Sequence, residues 1–312
     1  MVKKMEAIKI INLNKKYKDV NALKNISFNI HENELFGLLG VNGAGKTTLI
    51  KILSGLISFN EGEAYIYNYS VKTDLNKIKE IVDVSPQETA VALNLTVKEN
   101  LEFFKDIYNV SDENDINNLI KIFKFEEILN KKAKTLSGGY QRRLSIAVTL
   151  LSKPKVIFLD EPTLGLDVLA RRELWNIIKS IKNKCTIVLT SHYLEEIEAL
   201  CDRVAILAKG NLLKIGTVNE IKKETDNFLK TLSKGLNELE KMIKKNITEK
   251  NRKLDSSLCF KLYDTYGFPF ELTSEILKER NIIASKEEFD KYMESQRALA
   301  RQNAKKINDL KV

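Results

Sequence analysis

The hydrophobic and polar positions divide the chain into an alternating part, a helical insertion and a helical tail. Residues 8–13 and 25–30 alternate between apolar and polar side chains, which predicts strands that expose one face. Continuous apolar runs within 34–40, 156–159 and 186–190 predict strands buried on both faces. Further strands are predicted at 63–67, 204–207 and 212–215, and helices at 47–54, 137–151, 171–181 and 194–200. Strands that alternate with helices indicate an α/β fold around a largely parallel sheet.

Two regions depart from this alternation. Between 97 and 129 apolar residues recur at helical spacing, namely Leu101, Phe104, Tyr108, Ile116, Leu119 and Phe123. After about 223 the strand pattern stops, and the rest is predicted to be helical around an aromatic turn at 262–270. We therefore expect one domain over 1–225, with a helical subdomain at about 92–152, and a mainly α-helical segment over 226–312.

The composition is that of a soluble protein, with 43% hydrophobic and 30% charged residues in 312. No run approaches the roughly 18 apolar residues of a membrane helix. The chain opens with the charged stretch MVKKMEAIKI, so we expect a cytoplasmic protein that reaches a membrane only through a partner. Cys185, Cys201 and Cys259 are too scattered for a disulfide framework or a metal cluster. The net charge is +9, and because lysines are interspersed with acids we interpret the excess as solvated helix surface.

The first candidate for chemistry is the glycine-rich segment G-V-N-G-A-G-K-T at 40–47, which follows a predicted buried strand and opens a predicted helix. Its glycines allow backbone N–H groups to converge on phosphate, and the helix N-terminus adds a favourable dipole. Lys46 can reach the β- and γ-phosphates, and the Thr47 hydroxyl can bind Mg²⁺. The predicted nucleotide contacts are Gly40, Asn42, Gly43, Gly45, Lys46, Thr47 and Thr48.

An acidic pair ends the next buried strand. Asp160 follows the apolar run 156–159, which places its carboxylate at the carboxyl end of that strand, where ligands bind in open α/β sheets. Asp160 can hold Mg²⁺, and Glu161 can act as general base or orient the attacking water. The alternative is that the pair only caps a helix, and the preceding phosphate loop argues against it.

Between loop and acids, Leu136–Gln141 reads L-S-G-G-Y-Q. Ser137, Gly138 and Gly139 open a predicted helix, so the hydroxyl and the N–H groups form a second anion site. If both sites hold the same γ-phosphate, two chains must face each other head to tail. Sequence physics alone also allows a plain helix cap here.

Taken together, these motifs resemble the ATP-binding subunit of ABC transporters over about residues 5–225. In chain order the matching motifs are the aromatic Tyr17, Walker A at 40–48, the Q-loop residue Gln87, the signature at 136–141, Walker B at 156–161, the D-loop at 164–167 and the switch residue His192. The resemblance implies that adenine stacks on Tyr17, that Gln87 senses Mg²⁺ and the transmembrane partner, and that His192 contacts the γ-phosphate. It also implies a dimer that sandwiches ATP between Walker A of one chain and the signature of the other.

The stretch 190–204, T-S-H-Y-L-E-E-I-E-A-L-C-D-R-V, is most similar to single-cassette exporters of the ABC-2 type. The chain departs from the common pattern at Val41, where Pro is frequent, and at Leu164, where Ser is frequent. Both departures leave the phosphate and metal ligands intact. The resemblance therefore implies an ATPase that binds a transmembrane permease subunit at the cytoplasmic face of the cell membrane.

The tail resembles a different family. Phe228–Glu240 and residues 260–301, with the core F-K-L-Y-D-T-Y-G-F-P-F-E-L-T, are similar to a helical stretch of alanyl-tRNA synthetase. In that family the aminoacylation motifs lie upstream, where this chain has the cassette, so we expect no synthetase activity. The region helps to recognise the tRNA acceptor stem, but we do not expect tRNA binding here through Asp264, Arg297 or Arg301. The tail is interpreted as a helical appendage left by a gene fusion or by an assembly error of the sequence, in which Phe268, Pro269 and Phe270 are packing residues.

Two other functions stay open at this point. One is a soluble cassette that acts in translation or repair, although such proteins generally carry two cassettes or a long coiled-coil insertion. The other is an RNA-binding module formed by the tail.

Overall fold

A computed structural model describes residues 5–248 and 251–296 of the chain. The chain forms two compact units, Met1–Ile221 and Lys222–Val312. The division falls within the helix Val218–Asn246, which also contains the expected boundary at 225/226. The sequence has no Gly- or Pro-rich linker at the division, and the helix is continuous there.

The strands are β1 Glu6–Tyr17, β2 Val20–His31, β3 Leu35–Leu39, β4 Glu61–Ile66, β5 Tyr69–Ser70, β6 Val82–Ser85, β7 Val156–Leu159, β8 Thr186–Ser191, β9 Arg203–Ala208 and β10 Asn211–Thr217. The α-helices are α1 Lys46–Leu53, α2 Leu75–Ile81, α3 Val97–Ile107, α4 Glu113–Phe123, α5 Gly138–Leu150, α6 Val168–Ile181, α7 Leu194–Leu200, α8 Val218–Asn246, α9 Ser256–Tyr266 and α10 Phe270–Glu279. Short 3₁₀ turns occupy Glu126–Ile128 and Ala133–Thr135, and residues 286–296 are helical.

Within the described residues, the first unit is built on two sheets. One is six-stranded with the order β10-β9-β3-β8-β7-β6, and all of its pairs are parallel except β10–β9. The other is antiparallel, with the order β2-β1-β4-β5. The predicted α/β fold with a largely parallel sheet is therefore confirmed. The carboxyl ends of β3, β7 and β8 meet at one edge of the parallel sheet and position the candidate site.

The parallel strands are buried on both faces, as the continuous apolar runs predict. Alternate side chains of β7 enter two different hydrophobic cores, with Ile157 and Leu159 in one and Val156 and Phe158 in the other. The helices α3, α4, α5 and α6 contribute to the first core, and α1 contributes to the second. Burial of both strand faces fixes the register of the sheet and therefore the positions of the residues that follow each strand.

Three elements of the first unit were not predicted from the sequence, namely β5, α2 and β6. Helix α2 runs directly into the edge strand β6, which pairs in parallel with β7. No glycine or proline separates the two elements, and β6 is too short to display a clear alternation. Strand β6 is important because Gln87 follows it at the same edge of the sheet.

The second unit is a helical unit with an aromatic core. Phe268 and Phe270 are buried, so their predicted packing role is confirmed, and the Phe270 and Phe289 rings stack with centroids 4.4 Å apart. Gly235 of α8 leaves the space for Phe268, since a Cβ at Gly235 would lie 2.2 Å from Phe268 Cδ2. Asp255 caps α9 through a 2.8 Å bond from Ser257 N–H, and Gly267 ends the helix at φ +63°.

Across residues 5–248 and 251–296, none of the helices combines the length and the hydropathy of a membrane span.

Candidate functional site

A cleft of about 820 Å³ opens beside the phosphate loop. Its lining residues are Tyr17, Asp19, Val20, Asn21, Ala22, Lys24, Asn42, Gly43, Ala44, Gly45, Lys46, Thr47, Thr48, Gln87, Glu161 and Lys209. The structure therefore brings together most residues that the sequence nominated for nucleotide binding. Asp160 and His192 contact members of this lining, as described below, and Gly40 lies at the start of the loop.

The phosphate loop is held in a conformation that requires glycine at its last turn. Gly45 has φ +107° and is the N-cap of α1, without a side-chain bond to the helix N–H groups. A Cβ at this position would lie 2.7 Å from the carbonyl oxygen of Ala22, so a larger residue would displace backbone. The N-terminal N–H groups of α1 consequently have no side-chain cap at the position where an anion would bind.

Lys46 is folded back over this loop and is buried. Its Nζ donates to the carbonyl oxygens of Gly40 at 2.7 Å and Val41 at 3.3 Å. The same Nζ lies 3.2 Å from Glu161 Oε1. The ammonium thus sits between the loop and the acidic pair.

The acidic pair is organised by one hydroxyl that the sequence did not nominate. Thr190 Oγ1 donates to Asp160 Oδ1 at 2.6 Å and accepts from Glu161 N–H at 2.8 Å. Thr47 Oγ1 donates to the same Oδ1 of Asp160 at 3.3 Å. Glu161 has φ +46°, in the left-handed region, and this turn of the backbone directs its carboxylate toward Lys46. Thr190 is the last residue but one of β8, so a polar residue near the end of a buried strand is the signal that could have found it.

His192 completes the cluster from the end of β8. Its Nδ1 lies 3.3 Å from Glu161 Oε2, but the two groups are not aligned for a hydrogen bond, and Nδ1 is buried without another partner. The His192 ring packs on Tyr193, with centroids 3.9 Å apart. One carboxylate therefore has an ammonium on one oxygen and an imidazole near the other.

Comparisons with known proteins agree with this arrangement. The family model of ABC transporters matches residues 23–164. The linearmycin resistance ATP-binding protein LnrL of Bacillus subtilis is 34% identical over 233 residues, which are 73% of this chain and 75% of LnrL.

The chain belongs to the ABC transporter family.

Two solved ABC cassettes share its fold. The cassette cbiO1 from Clostridium perfringens, part of the ABC transporter complex cbiONQ, has a TM-score of 0.66 and 26% identity over 73% of this chain and 95% of its own. The cassette MJ0796 in a post-hydrolysis dimer with ADP and Pi has a TM-score of 0.60 and 27% identity over 68% of this chain and 98% of its own. The unit Met1–Ile221 is thus an ABC ATPase domain with the expected P-loop fold.

Other relatives are much longer. The human phospholipid-transporting ATPase ABCA3 is 38% identical over 217 residues, and the chain spans only 13% of its length. The tail has a match of its own, because the family model of class II (A) tRNA synthetases matches residues 214–312. The predicted resemblance of the tail to a synthetase is thereby confirmed at the level of that family.

Tyr17 and Gln87 lie at the rim of the ABC cleft. Tyr17 ends β1 with 44% of its surface exposed, and Lys15 Nζ lies 4.8 Å from its ring centroid. Gln87 is exposed, and its carbonyl oxygen accepts from Arg142 Nη1 at 3.4 Å. Both side chains are accessible to a ligand.

The signature segment does not line the cleft of its own chain. Ser137 is the N-cap of α5 and accepts from Tyr140 N–H at 3.4 Å, and both Ser137 and Gly138 are exposed. Gly139 is buried, and a Cβ added at this residue would lie only 3.0 Å from Ala170 Cβ. Within one cassette, the predicted second anion site is therefore separate from the phosphate loop.

Proposed function

We propose that the cassette binds ATP with Mg²⁺ in the cleft and hydrolyses it as a head-to-tail dimer. The cycle drives a transmembrane permease subunit that exports its cargo, with the cassette on the cytoplasmic face of the membrane. The observation that carries this proposal is the convergence of Lys46, Glu161 and His192 beside an uncapped helix N-terminus.

The residues present fit Mg²⁺. The Thr47 hydroxyl and the Asp160 carboxylate are hard oxygen donors only 3.3 Å apart, and Gln87 adds an amide to the same cleft. Among the described residues, no group of three or more His, Cys, Asp or Glu could hold a metal ion. Mg²⁺ bound at Thr47 and Asp160 would take its other ligands from phosphate and water and would neutralise phosphate charge.

The chain's own residues then divide the work of hydrolysis. Lys46 exchanges its loop carbonyls for phosphate oxygens, and Glu161 accepts a proton from the water that attacks the γ-phosphorus. The bond between that phosphorus and the bridging oxygen breaks, and ADP and phosphate are released. His192 holds a γ-phosphate oxygen, and Tyr17 stacks on the adenine. Ser137, Gly138 and Gly139 act on the ATP of the other chain, because they do not line their own cleft.

The exporter role is supported by resemblance and by relatives. LnrL is named as a linearmycin resistance protein, ABCA3 as a phospholipid-transporting ATPase, and cbiO1 as part of a transporter complex. Copurification of the natively expressed chain with a membrane permease supports this role. Copurification with ribosomes instead would favour the soluble cassette in translation.

The catalytic part is tested by ATP turnover of Glu161→Gln and Lys46→Ala. Glu161→Gln should lower kcat about 10²–10⁴-fold, since it removes the general base, and Lys46→Ala should abolish ATP binding at micromolar concentration. Glu195→Gln and Lys51→Ala, which change exposed residues of the same types on α7 and α1, are the matched controls and should turn over normally. Wild-type turnover in both site variants would falsify the assignment.

The tail receives no catalytic or tRNA-binding role in this proposal. Asp264 is exposed and accepts a hydrogen bond from Gln296, whereas Arg297 and Arg301 lie outside the described residues. Binding of tRNA to the full chain, measured against salt, tests this. Affinity that falls steeply with salt would show that the tail contacts phosphate.

A further inference from the structure

One arginine of helix α5 is buried against the turn that carries the acidic pair. Arg142 is 5% exposed. Its Nη2 donates to the carbonyl oxygen of Asp160 at 2.8 Å, and its Nε donates to that of Pro162 at 3.1 Å. These two carbonyls stand immediately before and after Glu161, so the guanidinium clamps both sides of the residue with the left-handed backbone.

The same guanidinium also holds the Q-loop. Its Nη1 donates to the carbonyl oxygens of Pro86 and, at 3.4 Å, of Gln87. Four carbonyls from two segments thus meet one rigid, planar fork of donors. The Q-loop and the Walker B turn cannot move apart without breaking bonds to Arg142.

The adjacent arginine shows how different this arrangement is. Arg143 is equally buried but pairs with the carboxylate of Glu173 and lies over the Tyr140 ring at 4.7 Å. The hydrogen bonds of Arg142 described above all go to backbone carbonyls, and burial lowers its pKa to about 10, so it remains charged at neutral pH. Burial of a cation is costly unless nearby charges offset it, so a guanidinium in place of an apolar side chain argues for a role beyond packing.

A buried carboxylate balances this charge and connects it to two further helices. Glu196 of α7 is 1% exposed, and Glu196 and Asp160 are the two acids whose charges favour the ionised guanidinium. Glu196 Oε1 accepts from Thr163 Oγ1 at 2.8 Å and from Trp175 Nε1 at 3.2 Å. Helix α7 follows His192, so the network joins the acid turn, α5, α6 and the switch region.

We propose that Arg142 is a positioning residue that couples the signature helix to the acid turn and Q-loop of its own chain. Helix α5 begins at the exposed Ser137, and Arg142 lies little more than one turn further along the same rigid helix. When the neighbouring chain's ATP binds at Ser137, a shift of α5 moves the carbonyls on either side of Glu161. Each chain thereby hydrolyses its own ATP only when its signature is occupied. This inference rests on the proposed head-to-tail ATPase.

The first test separates turnover from ATP binding. Arg142→Lys keeps the charge but cannot span four carbonyls, so kcat should fall about tenfold or more, while the ATP dissociation constant of the full chain stays within about twofold. Arg143→Lys, the matched control on the same helix, should leave both quantities within about twofold of wild type. If Arg142→Lys fails to fold, Arg142→Gln, which buries no charge, replaces it with the same expected result.

The second test uses the only tryptophan of the chain, Trp175, which reports on Glu196. In Glu161→Gln, ATP should shift Trp175 emission, and adding Arg142→Lys should remove at least half of the shift without weakening ATP binding. Adding Ser137→Ala, which removes a proposed contact to the neighbouring chain's ATP, should also remove at least half of the shift.

The outcomes that overturn the proposal are distinct from those that overturn the ATPase assignment. Turnover of the Arg142 variant that matches Arg143→Lys contradicts the coupling role. An emission shift that is absent from Glu161→Gln, or that survives in both double variants, contradicts it as well. A wild-type chain that neither binds nor hydrolyses ATP would instead remove the proposed function itself.

Discussion

The two units of the molecule bury different kinds of side chain. The ABC cassette buries six charged side chains among its described residues, namely Glu34, Lys46, Arg142, Arg143, Asp160 and Glu196. Lys46, Arg142, Asp160 and Glu196 lie at or near the carboxyl edge of the parallel sheet, whereas Glu34 directly precedes β3. In the C-terminal unit, the buried polar side chains among the described residues are Ser256 and Thr273. Its core is otherwise apolar and aromatic.

This difference shows where each unit carries chemistry. Charged groups are expensive to bury unless they are paired and hydrogen-bonded, so a concentration of them marks a place where stability is given up for a task. The buried hydroxyls of the C-terminal unit have local, structural partners instead. Ser256 Oγ lies 2.9 Å from Glu288 Oε2, and Thr273 Oγ1 donates to Pro269 O at 3.1 Å. The described part of that unit is organised as a packing scaffold.

The largest difference in stability loss between the two units is expected when one buried threonine in each unit is replaced by valine. Thr190→Val removes the hydroxyl shared by Asp160 and Glu161 N–H, and we expect the cassette to lose about 3 kcal/mol because a buried carboxylate and a buried N–H lose a partner. Thr273→Val is the matched control, since Pro269 O keeps its bond from Thr273 N–H at 3.0 Å. That variant should cost less than about 1 kcal/mol.

Native-state hydrogen exchange, read peptide by peptide, measures both units of the full chain in one experiment. Equal losses of stability in the two variants would show that the buried polar groups of the two units are equivalent.

A smaller effect is expected from Gly235→Ala in α8. Alanine normally stabilises a helix interior by about 1 kcal/mol relative to glycine. Here its Cβ would lie 2.2 Å from Phe268 Cδ2, and overpacking of a buried ring costs about 1–3 kcal/mol, so the net change should be a loss near 1 kcal/mol. The midpoint temperature of thermal unfolding, monitored by far-UV circular dichroism, should fall, while ATP turnover at 25 °C stays at the wild-type level. A more stable C-terminal unit would contradict the packing of Phe268 on Gly235.

The smallest difference should appear in the cysteines, where the two units are alike. Burial raises the pKa of Cys185 in the cassette and of Cys259 in the C-terminal unit to about 11, from an ordinary value of 9.0. The folded state therefore keeps a proton that the unfolded state loses, so each thiol contributes stability that is complete below about pH 9 and declines as pH rises toward 11.

Urea unfolding at about pH 8 and pH 10 should show this decline in both units. Alanine at Cys259 should flatten the pH dependence of the C-terminal unit, whereas alanine at Cys185 should only reduce that of the cassette, because burial also raises the pKa of Cys201. A decline in stability confined to one unit would show that the two thiols do not share a raised pKa in the folded state.

The order of elements in the cassette could be predicted because continuous apolar runs in the sequence indicate the central buried strands. The phosphate loop and the acidic pair could be predicted for the same reason, since each directly follows such a strand. The strand β6 could not, because it has four residues and no turn separates it from α2.

Arg142 and Glu196 were missed for a different reason. Their partners are backbone carbonyls, hydroxyls and an indole from segments 18 to 56 residues away, and no local spacing encodes such contacts. One signal was available, because Arg142 falls on the same face of α5 as Gly139 and Ile146, which are buried. A charge on the buried face of a helix marks a position to examine before the fold is known.

At Glu161, the left-handed backbone lowers the stability of the fold, whereas the carboxylate serves the proposed hydrolysis of ATP. A non-glycine residue at φ +46° costs on the order of 1 kcal/mol, and glycine or asparagine adopts the same conformation more easily. Selection for folding alone would therefore drift toward Gly or Asn at this position. Persistence of glutamate there requires continued selection on ATP turnover, so its replacement by glycine or asparagine during laboratory evolution would record the loss of that selection.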